Sequence, residues 1–96
     1  MNKEEFLQYA NITENQFLGI DEIRAFLNLE SLTTIPDGFN PRVGGSLYLT
    51  NLIKVPGGFN PMVDGSLYLR SLKNIPEGFN PTVGGSLDLN SLTMIP

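Results

Sequence analysis

From Ile23 onward the apolar residues of this chain recur at a fixed spacing of 20. Leucine pairs stand at Leu27/Leu29, Leu47/Leu49, Leu67/Leu69 and Leu87/Leu89, each followed by Leu32, Leu52, Leu72 or Leu92. Ile35, Val55, Ile75 and Ile95 come next, then Phe39, Phe59 and Phe79, and Ile23, Val43, Val63 and Val83 complete the pattern. A period in this range marks a repeat array, in which each block is one supersecondary unit. The Leu-x-Leu alternation has period two, so it predicts one strand of about four residues per block, with both leucines on one face. Such a strand cannot bury its leucines alone, and successive blocks must stack into a parallel sheet with columns of identical side chains inside.

The stretch between strands, Gly78 to Pro81 and its counterparts, is no helix interior. Pro76 and Pro81 lack N–H donors and push Ile75 and Asn80 away from the helical region, which predicts a turn-rich arc. Gly78 and Gly85 have counterparts in every complete block, as a positive φ or a close backbone approach requires, whereas Gly84 gives way to Asp64 and reads as less constrained. Asn40, Asn60 and Asn80 are expected to bond backbone groups or one another in a ladder along the axis.

Residues 1–22 do not repeat. Asn2 with Glu5 and Thr13 with Gln16 have capping-box spacing, Phe6, Leu7 and Ala10 share one helix face, and Gly19 is a helix stop. These features predict a helical cap laid over the first coil. The domains are then the cap, 1–22, and a solenoid, 23–96, made of a partial repeat 23–36 and the repeats 37–56, 57–76 and 77–96. The fold class expected is an α+β repeat protein, a solenoid of short parallel strands behind helices. After Pro96 no arc covers the last coil, so Leu87, Leu89, Leu92 and Ile95 are expected to meet a second copy, as a homodimer paired through the C-terminal rung.

Composition narrows the chemistry. The 96 residues suffice for one domain, and cysteine and histidine are both absent, which removes disulfides, thiolate or imidazole metal ligands and imidazole bases. No cofactor or metal is expected. With 6 Lys and Arg against 10 Asp and Glu the net charge is −4, a poor match for a phosphate backbone. Lys3, with Arg24 just beyond residues 1–22, supplies the only positive charge near the two helical stretches, too little for a DNA-reading helix pair. No apolar run resembles a secretory signal or a membrane span, so the expectation is a cytoplasmic protein with neither nucleic acid nor membrane as partner.

The repeated pattern of Leu-x-Leu, Leu, Ile-Pro and Gly-Phe resembles the short bacterial leucine-rich repeats, above all the BspA-like class. The resemblance covers about residues 23 to 96 and implies a leucine-rich-repeat-type β-solenoid. Two departures stand out: the repeat is shorter, and Leu52, Leu72 and Leu92 occupy positions where many such repeats place an Asn. The cross-section is therefore either a curved horseshoe or a flatter solenoid.

Function must lie on the outward columns. Asn28, Tyr48, Tyr68 and Asp88 stand between the leucines of each pair, and Glu30, Thr50, Arg70 and Asn90 follow them. This face varies from block to block while the inward columns do not, and exposed Tyr beside Arg is a composition favoured at protein interfaces. The expected function is a non-catalytic binding module engaging another protein. The alternatives are a structural, self-assembling solenoid and a small-ligand or carbohydrate binder. Catalysis is set aside. Asp37 and Glu77, two rungs apart at about 10 Å, exceed the carboxylate separation of inverting glycosidases, and nothing beside them would raise a pKa. The Gly pairs at 44–45 and 84–85 lack the Lys and the strand-to-helix context of a phosphate loop.

Overall fold

The structure is a computed structural model that describes residues 2–89. Two helices come first, α1 (Lys3–Ala10) and α2 (Glu14–Phe17), followed by strands of two residues each. The strands are β1 (Glu22–Ile23), β2 (Leu27–Asn28), β3 (Arg42–Val43), β4 (Leu47–Tyr48), β5 (Met62–Val63), β6 (Leu67–Tyr68), β7 (Thr82–Val83) and β8 (Leu87–Asp88). They form a β-solenoid of about three turns, with one parallel ladder ordered β1-β3-β5-β7 and a second ordered β2-β4-β6-β8. Every pairing joins residues one repeat apart, as in Ile23 with Val43 and Leu27 with Leu47.

One strand of about four residues per block is thus corrected to two short strands. The valine column belongs to a ladder of its own, separated from the leucine ladder by a bend at Gly44–Gly45, Asp64–Gly65 and Gly84–Gly85. Around that bend the coils still touch through their backbones: the Gly65 N–H donates to the Gly45 carbonyl at 2.9 Å, and Gly85 to Gly65 at 2.8 Å. A Cβ at Gly65 would lie 2.9 Å from the Gly45 carbonyl, so glycine is required by close approach. Gly38, Gly58 and Gly78 answer the other need, with φ of 88°, 82° and 80° in the proline turns. Gly84 does not behave as the less constrained residue, because a Cβ there would collide with the Asp64 carbonyl.

Inside, the repeated positions form the expected columns. Leu47, Leu49, Leu52, Leu67, Leu69 and Leu72 are fully buried, and so is Phe39. Phe39, Phe59 and Phe79 stack with centroids 6.0 and 6.4 Å apart and planes 18° and 19° from parallel. Burial of each such aliphatic side chain is worth about 1.5–3 kcal/mol, which small coils can collect only by stacking.

The asparagine ladder is present. Asn60 donates its backbone N–H to Asn40 Oδ1 at 2.6 Å, and Asn80 donates to Asn60 Oδ1. A second ladder was not foreseen: Ser66 N–H donates to Ser46 Oγ at 3.0 Å and Ser86 to Ser66 Oγ at 3.1 Å. Both satisfy arc and bend amides that the strand ladders leave over.

At the start of the chain both capping boxes close. Asn2 Oδ1 accepts from Glu5 N–H at 2.8 Å and Glu5 Oε1 from Asn2 N–H at 3.0 Å, and Thr13 with Gln16 repeats the exchange at 3.1 and 2.9 Å. α1 stops at Asn11, which adopts a left-handed conformation, and Gly19 follows α2 with φ 82°. Phe6 and Phe17 are buried, with ring centroids 4.7 and 5.3 Å from Phe39. Lys3 ties the helices together, 3.1 Å from Glu14 and over the Phe17 ring.

Two glycines separate the demands of the repeat. Gly65→Ala forces a methyl into the Gly45 backbone and is expected to cost about 1–3 kcal/mol in urea melts. Gly57, whose added Cβ meets nothing within 4 Å, should accept alanine and gain about 0.4–1 kcal/mol through the unfolded state. Equal effects at the two positions would contradict the close-approach role of Gly65.

Candidate functional site

The outward residues of the leucine ladder lie side by side because the parallel register places Asn28 beside Tyr48, Tyr48 beside Tyr68 and Tyr68 beside Asp88. Each is directed outward because its flanking leucines point in. Tyr48 and Tyr68 are half-buried and their rings stack 5.0 Å apart and 2° from parallel. This is the outer counterpart of the phenylalanine column.

Sequence reasoning missed one member of the row. Phe26, 63% exposed, sets its ring edge-on to Tyr48 at 6.0 Å between centroids. It stands where later blocks carry the ladder serines, and the signal was available: residues 26 and 28 flank the inward Leu27 and so share its outer face.

At the other end Arg70 closes the row. Its Nε donates to Asp88 Oδ2 at 2.7 Å, and its guanidinium lies 5.8 Å from the Tyr68 ring centre. The hydrogen bond to Asp88, then the Asp88 charge, raises the Arg70 pKa above its ordinary value. Asp88 is the more buried partner, with 14% of its side chain exposed against 56% for Arg70. The pair is mostly solvated on its Arg side, so its role is orientation more than stability.

The remaining predicted positions contribute unequally. Asn28 Oδ1 accepts from Glu30 N–H at 3.0 Å, so this amide is engaged with its own turn, and the Glu30 carbonyl accepts from Asn51 Nδ2 at 2.6 Å. Thr50 is half-buried on the same face, and Asn90 lies outside the described residues. Of the positions assigned to self-association, Leu87 is 41% exposed and Leu89 packs partly buried against the core. Leu92 and Ile95 lie outside the described residues. Asp37 and Glu77 are both exposed on the turn arcs.

Among the described residues no group of three or more His, Cys, Asp or Glu could hold a metal ion. Nor is any described helix long and apolar enough to cross a membrane. Comparison with protein-family models, with curated proteins and with solved structures finds no match for the chain.

In chemical terms the face is an aromatic ridge ending in a paired cation. Each tyrosine spends ring surface on its neighbour, leaving edges, whose partial charge is positive, as the outward apolar contact. The rings are already ordered by stacking, so little side-chain entropy is lost on docking.

The stack has a spectroscopic signature. Of the tyrosines at positions 9, 48 and 68, only the last two are in ring contact with each other. Tyr68→Ala is expected to reduce the near-ultraviolet circular dichroism of tyrosine by well over one third, whereas Tyr9→Ala leaves the coupled signal in place. Equal losses would mean that the rings are not stacked in solution.

Proposed function

We propose that this chain is a leucine-rich-repeat-type solenoid that acts as a non-catalytic binding module, docking another protein on the row Phe26, Tyr48, Tyr68 and Arg70. The observation that carries this reading is the stacked tyrosine pair, an ordered aromatic surface that folding itself does not require. Tyr and Arg are among the residues that most often dominate interface energies. Thr50, Asp88 and Asn28 form the polar surround. A carbohydrate reading is less well supported, since sugars stack on open ring faces and here each tyrosine turns a face to the other.

A photoreactive phenylalanine analogue at position 48, expressed in cells, tests the assignment. It should yield a discrete adduct with one protein, and that adduct should disappear when Tyr68→Ala and Arg70→Ala are added. The same probe at position 77, on a turn arc, should yield none. Absence of an adduct at 48, or the same adduct from both positions, overturns the reading.

Residues 1–22 serve in this proposal as a helical cap. Phe6 and Phe17 cover Phe39, the first ring of the stack. A fragment of residues 23–96 is expected to aggregate, or to lose cooperativity in thermal melts, because its first aromatic layer is left open to water. A soluble fragment with a cooperative melt like that of the whole chain would remove the cap from the proposal.

A further inference from the structure

A second feature lies away from the aromatic row. Thr34, Ile35 and Asp37 of one coil and Lys54, Val55 and Pro56 of the next line a cleft of about 270 Å³. The coils are joined at its side by the Ile53 N–H, which donates to the Thr33 carbonyl at 3.1 Å.

The lining has a clear division. Ile35, Val55 and Pro56 are buried or half-buried and supply an apolar floor, while Asp37 and Lys54 are exposed. The ion pairs among the described residues are Lys3 with Glu14 and Arg70 with Asp88, so neither Asp37 nor Lys54 is neutralised by a partner. The cleft therefore presents one carboxylate and one ammonium, on adjoining coils, in a mixed lining to which Ile35, Val55 and Pro56 add apolar contact. One repeat further on, the same frame carries Gly57 and Asn74, and the charge pair is missing. This pattern is not a demand of the fold, since the arc forms with or without it.

We propose that this cleft is a binding site for a small zwitterion with an aliphatic body, of the class of the branched α-amino acids. The ligand's ammonium faces Asp37, its carboxylate faces Lys54 with Thr34 at hand as a hydroxyl donor, and its side chain lies on Ile35, Val55 and Pro56. Charge decides the class: a ligand of a single sign would meet one like charge and gain from only one partner. Size limits it as well, because about 270 Å³ falls just short of the roughly 300–1,000 Å³ of drug-sized ligand sites and suits one compact molecule better than a chain.

The test is a titration of the whole protein with L-leucine, followed by amide chemical shifts. Saturable shifts at Ile35, Lys54 and Val55 are expected at millimolar ligand. Leucinamide, which lacks the carboxylate, and 4-methylpentanoate, which lacks the ammonium, should each bind at least about tenfold more weakly. Asp37→Asn and Lys54→Met should weaken leucine by a similar factor, and both exposed positions leave the core untouched. No saturation by about 10 mM leucine overturns the proposal, as does equal binding of either analogue, or a set of shifts confined to other residues.

Discussion

Everything in this protein depends on like side chains stacking on like from one coil to the next. No coil holds enough apolar surface to fold by itself, and the burial of Phe59 or Leu67 exists only because a neighbouring coil offers the same residue in the same place. That requirement explains the uniform inner columns. It also explains why the backbone is so restricted at Gly65 and Gly85, where two coils meet carbonyl to amide and no Cβ can intervene.

Stacking brings a polar problem with it. Two-residue strands pair few amides, and the proline arcs pair fewer still, yet arcs packed on one another must satisfy the groups they hide from water. The asparagine and serine ladders meet this need with side-chain oxygens, one per rung, each accepting from the amide a repeat later. A residue of either type is short enough to reach only its neighbour, so the ladders hold the register that the side-chain columns select.

The outward positions are released from this demand, and there the blocks differ. Tyr48 and Tyr68 stack as the inner phenylalanines do, but Asn28 and Asp88 stand in the same column, which shows that the solenoid tolerates a polar residue at that place. Aromatic order without a structural need is what makes the row a candidate surface. The cleft bearing Asp37 and Lys54 follows the same logic on the arcs, with chemistry placed where the period leaves the residue free.

The period of 20 determined the solenoid, the inward columns and the asparagine ladder, and a three-residue spacing within residues 1–22 determined the capping boxes, because each follows from local spacing or from the identity of residues that must superpose. The outward row of Tyr48, Tyr68, Arg70 and Asp88 was legible for the same reason: alternation about a buried leucine fixes which neighbours face water. What spacing could not decide was how the chain turns between the leucine and valine columns, since a bend just before the serine and a continuous strand share one apolar pattern. Only the fold showed two ladders in place of one. Phe26 beside Tyr48, Arg70 reaching Asp88, and the cleft joining Asp37 to Lys54 were likewise decided in three dimensions. These contacts cross between coils, and their geometry depends on side-chain direction and coil offset, which no one-dimensional period encodes.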